Sequence, residues 1–561
     1  MHLKASLFAL TLIATPAFAE PNAGAYLAAR SAAATSDYEA AAEYYTRALV
    51  GDRSNPTLLE STVSAYVGLG DVTRAVPVAR RLQESGTESQ IANLVMTVDV
   101  ARREAWDALV SDIDAGLSVG PLFDVLVRGW ALVGTGNMGA ALDSFDEVAD
   151  NPGVEAFGLF HKALALAYAG DFEGADVILS GEGGTEMRLT RRGVVAHATV
   201  LSQIERNEDA LALLDGTFGS DLDPALEELR ADLEAGETLP FTAVTTPSDG
   251  VAEVLYSIGT ALRGETSPAY TLLYARLALA LRPDHIEAIL LTADLLEELE
   301  QYELATQVYD TVPRDDPSYH AAELGRAGAL ERTGDTDAAI EVLRQLARTH
   351  GDLPAVHVSL GDLLRRLERF DEATPSYDRA IELMGEPQQG HWVVYFARGI
   401  THEREDRWAL AEADFRTALE LNPDQPQVLN YLGYSFVEMN MNMDEALDLI
   451  ERAVAARPDS GYITDSLGWA LYRLGRYDEA VGHMERAVEL EPIDPIINDH
   501  LGDVYWAVGR EREAEFQWHR ALSFEPEEED AERIRRKLEV GLDVVLEEEG
   551  EPPLRMAGDD G

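Results

Sequence analysis

The sequence of 561 residues contains no cysteine. That excludes disulfides, thiolate metal sites and cysteine nucleophiles together, and it excludes a lipid anchor carried on a cysteine after a leader peptide. Positive charge is scarce as well: 45 Lys and Arg face 101 Asp and Glu, a formal net charge of −56. A phosphate backbone would be repelled along most of such a surface, so no nucleic-acid partner is expected. The acidic excess suits either a basic partner or the solvated surface of a protein from a salty habitat. No run past the first residues approaches the roughly 20 apolar residues of a membrane-spanning helix, so no direct membrane anchor is expected.

Signatures of catalysis are missing too. There is no GxSxG elbow and no phosphate loop, and His402-Glu403 begins like HExxH but has Asp406 where the second His would stand. Gly134-Thr135-Gly136-Asn137-Met138-Gly139 spells the dinucleotide pattern GxGxxG. That pattern needs a strand before it, whereas residues 124–133 read as a helix, so its glycines are assigned to a turn between helices. No cofactor, no metal and no enzyme activity are expected.

The N-terminus carries a targeting pattern. Lys4 supplies a positive start, Leu7 to Ala14 is a short apolar run, and Ala17-Phe18-Ala19 offers a small-x-small cleavage site. Residues 1–19 therefore read as a signal peptide, with Glu20 opening a periplasmic protein held at a membrane only through a partner.

Repetition organises the rest. Leu467-Gly468, Ala480, Ala487 and Pro492 return 34 residues later as Leu501-Gly502, Ala514, Ala521 and Pro526. The glycines permit close approach of a second helix, Ala480 and Ala514 sit at that crossing, and the prolines stop it. Gly475 and Gly509 fall between the helices, where positive φ is wanted. This pattern resembles the tetratricopeptide repeat (TPR), a helix–turn–helix unit, and the resemblance implies an all-α, right-handed solenoid.

Laid along the chain, the same ruler finds anchors at Gly259, Ala293, Ala327, Gly361, Gly399, Gly433, Gly468 and Gly502. They define a regular array over residues 251–528, with a loop insertion at Gly385–Gly390. A weaker array of about six units spans 20–218, with anchors such as Ala29/Ala41, Val63/Ala75, Gly129/Ala141, Ala163/Ala175 and Ala198/Ala210. Thr97 falls on the ruler, but its partner Leu109 is a poor match. Residues 219–250 lose the period and read as a connector between two arrays, or else as a further helix pair. Residues 529–546 read as a capping helix, and 547–561 as an acidic, disordered tail.

The resemblance also implies a binding surface, because first helices of such repeats line a concave face. The matching inward positions of the C-terminal units are Asn430, Tyr434, Tyr462, Asp465, Trp469, Tyr472, Asp499, Asp503 and Trp506. Rigid rings with carboxylates between them suit Arg or Lys side chains of a partner. The alternative is that the rings pack between neighbouring helices and the Asp residues pair locally. Family members that clamp a terminal carboxylate use cations at these positions, where this chain has Asp465, Asp499 and Asp503, so an acidic C-terminus is a poor ligand. The implied role is a non-catalytic periplasmic scaffold binding proteins of the cell envelope, in assembly or secretion. A regulatory partner of a periplasmic enzyme and a receptor for a small cationic or glycan ligand are the alternatives. The sequence leaves the oligomeric state open.

Overall fold

The computed structural model describes residues 21–182, 187–219, 222–551 and 554. The signal-peptide reading and most of the acidic tail lie outside them. Every regular element among the described residues is helical.

Six helix pairs fill the region before residue 219. They are α1 (Pro21–Ala34) with α2 (Tyr38–Gly51), α3 (Pro56–Leu69) with α4 (Val72–Glu84), and α5 (Gln90–Arg102) with α6 (Trp106–Asp114). Next come α7 (Pro121–Gly134) with α8 (Met138–Ala149), α9 (Glu155–Tyr168) with α10 (Phe172–Leu179), and α11 (Arg191–Gln203) with α12 (Asn207–Phe218). Many start at a capping side chain. Asp37, Asn55, Asp71, Asn137 and Asp171 accept a backbone N–H at their helix starts, which satisfies donors that a helix cannot pair internally. The GxGxxG stretch is the turn from α7 to α8, with helix on both sides. Leu109, the poor match to the ruler, and its partner Thr97 are as buried as the other anchors.

The connector contains α13 (Pro224–Glu234), which packs Leu226 and Leu233 against α11 and α12. An irregular segment then leads to α14 (Pro247–Leu262) and α15 (Pro268–Leu281). Further pairs are α16 (Ile286–Glu298) with α17 (Tyr302–Tyr309) and α18 (Tyr319–Arg332) with α19 (Thr336–Thr349). Then follow α20 (Pro354–Arg366) with α21 (Phe370–Met384), α22 (Trp392–Arg404) with α23 (Trp408–Leu421), and α24 (Pro426–Glu438) with α25 (Met443–Ala456). The last pairs are α26 (Gly461–Arg473) with α27 (Tyr477–Leu490), and α28 (Pro495–Ala507) with α29 (Glu511–Leu522). The helices α15, α23, α25 and α27 each stop two residues before Pro283, Pro423, Pro458 and Pro492, as a residue preceding proline disfavours helix.

The repeat glycines do a specific job. A Cβ on Gly399 would lie 2.5 Å from the Phe415 ring, on Gly468 2.7 Å from Met484, and on Gly502 2.4 Å from the Trp518 indole. Each first-helix glycine thus leaves room for one large side chain of the second helix. Gly475 and Gly509 have φ of 74°.

Two compact units divide between Leu346 and Ala347, rather than at 219–250. The reason is visible in the core. Val251, Val254, Leu255, Ile258, Leu273 and Leu277 of α14 and α15 belong to the same buried cluster as the side chains of α3, α5 and α7, so no boundary can fall before them. The expected single capping helix is two helices, α30 (Glu528–Val540) and α31 (Leu542–Glu549), broken at Gly541.

Candidate functional site

In the first unit the inner helices of the early repeats are already covered. The hairpin α14–α15 lies on α3, α5, α7 and α9. Arg276 donates to the Gly68 carbonyl at 3.1 Å and Ser248 to the Ala101 carbonyl at 3.2 Å. Gly250 faces the Trp130 ring so closely that a Cβ there would sit 2.1 Å from it. Trp130 Nε1 donates to His161 Nδ1 at 3.1 Å, and the other nitrogen, Nε2, meets Ser257 Oγ at 3.3 Å. Ser257 in turn donates to the Val254 carbonyl at 3.2 Å. This chain of donors requires a neutral imidazole, and burial pushes His161 down to about 4.

Beside it sits a buried ionic group. Arg192 grips Glu253, bonding it from Nε at 2.9 and 3.0 Å, and reaches Glu287 at 2.8 Å. Arg282 donates to the Thr242 and Ala243 carbonyls of the irregular segment. Burial opposes the charge on Glu253, but the Arg192 guanidinium outweighs it and holds the carboxyl at about 2. Perturbed buried carboxylates can mark catalytic sites. Here both are saturated by a guanidinium that also ties down backbone, which is a structural role. No group of His, Asp and Glu among the described residues is arranged to hold a metal ion.

The second unit holds the nine residues singled out by the sequence. Asn430 and Tyr434 lie half-buried on α24; Tyr462 on α26 is 57% exposed. Asp465, Trp469, Tyr472, Asp499 and Asp503 are buried, and each has a partner within the chain. Asp465 accepts from His500 Nδ1 at 3.0 Å. The indole of Trp469 stacks on His500 at 4.0 Å and on Tyr472 at 4.8 Å, and its Nε1 donates to Glu438 at 2.8 Å. Burial lowers the affinity of His500 for a proton, but Asp465 more than restores it, so its pKa is raised.

Asp499 and Asp503 were expected to receive a cation from a partner. The chain supplies its own. Lys537 of α30 donates to both oxygens of Asp499 at 2.8 and 2.9 Å and to both of Asp503 at 2.7 and 2.8 Å. Its ammonium also lies 5.8 Å from the Trp518 ring. Arg533 adds a longer contact to Asp503 at 3.6 Å. Even so, burial holds the Asp499 carboxyl above the usual range. Trp506 stacks on Trp518, donates to Asp543 of α31, and meets Gly541 at the joint between the two helices. Asp499, Asp503 and Trp506 are thus occupied by α30 and α31.

The sequence reading did not single out Lys537. A signal was present: the chain has only three lysines, at 4, 162 and 537. The compact ammonium of Lys537, with three rotatable donors, serves both facing carboxylates from one point.

The inner face is more open further toward the N-terminus of this unit. A cavity of about 240 Å³ is lined by Val358, Asp362 and Arg365 of α20, by Trp392, Val393, Phe396 and Ile400 of α22, and by Gln427. Val393 is 46% exposed. On the next first helix, Asn430 has a buried Oδ1 with no hydrogen-bond partner among the described residues. None of these α20 and α22 residues was singled out, although the same inward spacing reaches them.

Comparison with known proteins agrees with the repeat reading. Tetratricopeptide repeat models match residues 26–89, 290–354, 324–387 and 396–461, and a second such model matches 465–494. A TPR repeat-containing protein of Pseudomonas aeruginosa is 27% identical over 187 residues, covering 28% of this chain and 32% of that one. A human protein O-mannosyl-transferase is 25% identical over 167 residues, covering 30% of this chain and 19% of its own length. The chain therefore spans about a third or less of these relatives. Among solved structures, the Cut9–Hcn1 hetero-tetramer aligns over 92% of this chain and 96% of the matched one, at 15% identity and a TM-score of 0.38.

Proposed function

This chain is a tetratricopeptide repeat protein, and we propose that it is a non-catalytic scaffold that binds a segment of a cell-envelope protein along α20, α22 and α24. The observation that carries this reading is the contrast within the second unit. At α26 and α28 the carboxylates and rings of the inner face already have partners, whereas at α20 to α24 a trough of mixed polar and apolar lining stays open, with Asp362, Arg365, Phe396, Ile400 and Gln427 in its wall, and Asn430, one turn on from Gln427, keeps an unpaired oxygen.

Phe396, Ile400 and Val393 offer apolar area to a ligand side chain, and the Asn430 amide has both donor and acceptor capacity for a peptide backbone. An extended segment would be held by its backbone there and selected by its apolar side chains. The leader-like residues 1–19 support a periplasmic setting, which N-terminal sequencing of the exported protein checks: it should begin at Glu20.

Affinity purification from the envelope fraction tests the site. Wild type and Phe396→Ala/Asn430→Ala/Tyr434→Ala would be compared after circular dichroism shows equal helicity. Loss of a stoichiometric partner in the variant is the expected result. An unchanged set of partners would remove α20 to α24 from consideration. Recovery of one enzyme at equal stoichiometry would instead assign the scaffold to regulation of that enzyme.

A further inference from the structure

The first unit contains a cavity of about 340 Å³ between α9, α14 and the start of α11. Phe157 and Phe160 of α9, Leu189 just before α11 and Tyr256 of α14 line it, each of them half-buried. The Tyr256 ring rests against His285 at 4.7 Å, which holds that wall in place. Voids inside well-packed cores seldom exceed a water molecule. A concave space of this size, lined mainly by rings and aliphatic groups, matches a site for a small ligand instead.

The charges around the cavity point to the sign of that ligand. Among the described residues its wall contains two acids, Glu253 and Glu287, and Arg192 holds both of them. Two exposed arginines stand at its rim. Arg191 commits one nitrogen, Nη2, to Asp223 at 2.6 and 2.8 Å, and its side chain has no other hydrogen-bond partner among the described residues. The Arg188 side chain has neither an ion pair nor a hydrogen bond among them. Basic residues number 45 against 101 acidic ones in this chain, so an arginine without an acid beside it is conspicuous. Here two with donors to spare border one apolar cavity.

We propose that this cavity binds a small monocarboxylic acid with an apolar body, its tail between Phe157, Phe160 and Tyr256 and its carboxylate on Arg188 and Arg191. A guanidinium offers a planar fork of donors that matches a carboxylate. The apolar wall adds affinity in proportion to the ligand surface it removes from water. Arg192 has a supporting part: held between Glu253 and Glu287, it neutralises the acids that would otherwise repel the ligand. The site lies within the first unit and is independent of the trough at α20 to α24.

Calorimetric titration of the full chain with decanoate tests this, with decanol and decylamine as probes of the head group. Decanoate should bind about tenfold more tightly than either, as expected for a charge-assisted hydrogen bond. Octanoate, shorter by two methylenes, should bind roughly tenfold more weakly than decanoate. Equal affinity for decanoate and decanol would leave an apolar hole without an anion site. Preference for decylamine would assign the charge of the site to Glu253 and Glu287. Either result overturns the proposal, as does the absence of binding.

Two variants at exposed positions locate the ligand. Arg188→Gln should weaken decanoate about tenfold and leave decanol unchanged. Ala261→Trp, which sends an indole into the cavity from α14, should abolish binding of both. Circular dichroism should show each variant to be as helical as wild type. Hydrogen exchange on wild type needs no variant to fold: decanoate should increase protection of α9, α14 and the start of α11, with α26 and α28 unaffected. Wild-type affinity of Arg188→Gln for decanoate, or protection that falls outside α9, α11 and α14, overturns the proposal.

Discussion

Trp130 and Lys537 are both fully buried against the inner helices of their repeats, and they show two ways to cover such a face. Around Trp130 the cover is apolar. The hairpin α14–α15 joins one continuous core with α3, α5 and α7, and the polar groups next to Trp130 are neutral donors and acceptors in sequence. Around Lys537 the cover is a helix pair that adds a buried charge to apolar contacts: Ile534, Leu542 and Leu546 belong to the same core as α24 to α29, with a cavity beside them. Apolar burial makes α14–α15 part of the fold. Apolar burial of Ile534, Leu542 and Leu546 does the same for α30–α31, and the buried charge of Lys537 adds a contact whose unpairing costs far more than losing one apolar contact.

Trp130→Ala should be the most damaging change. It removes a fully buried indole and leaves His161 Nδ1 without its donor, for a loss of about 4 kcal/mol. Denaturant unfolding with hydrogen exchange should show α14 and α15 losing protection together with α7. Retained protection of the hairpin would mean that its hold lies elsewhere.

Lys537→Met should cost about 3 kcal/mol, because two buried carboxylates lose their common cation. In contrast to Trp130→Ala, the loss of protection should stay within residues 528–549. Spread of that loss into α24 and α26 would show Lys537 to hold more than its own helix pair.

Acid should separate the two covers as well. The folded pKa of His161, about 4, lies below its ordinary value of 6.5. The unfolded chain therefore binds the extra proton, and the contribution of this neutral imidazole, complete above pH 6.5, is lost as pH falls below it. The decline reaches about 2 kcal/mol by pH 5. His500 is shifted the other way, so its contribution is complete below the ordinary histidine pKa and is lost as pH rises through the higher folded value. Burial of Asp499 acts in the same sense. Exchange profiles across pH 5 to 9 should show α14 loosening at the acid end and the α26–α28 contact through Asp465 and His500 at the alkaline end. Parallel profiles would contradict the assignment of neutral and charged imidazoles.

Tyr462→Ala should be the mildest change, within about 0.5 kcal/mol of wild type, since the ring is mostly exposed. A larger loss would show that this side chain belongs to the cap's seat rather than to the open surface.

The inward spacing of the repeats singled out Asp465, Trp469, Asp499 and Asp503 as a surface for a partner's cation, and the structure pairs the carboxylates within the chain, with His500 and Lys537, as the alternative of local pairing had it. The occupant was not legible. Periodicity reports which residues share a face, and carries no information on a helix outside the period that returns to cover that face. The same spacing reaches Asn430 and Tyr434 and also Val358, Val393 and Phe396, whose trough carries no run of rings between carboxylates to mark it in the sequence.

What the sequence determined by itself is local. The 34-residue period, the glycines that admit Phe415 or Trp518, and the prolines after α23 and α27 act through neighbours within one or two helices, where chain connectivity does most of the ordering. Only the tertiary structure decided that α14–α15 would cover α3 to α9 and that Lys537 would settle between Asp499 and Asp503. Gly250 meets Trp130 and Arg276 meets Gly68 across loops of a hundred residues or more. The closure entropy of such loops grows only slowly with length, so shape and charge at the receiving surface, rather than distance along the chain, select the segment that fills it.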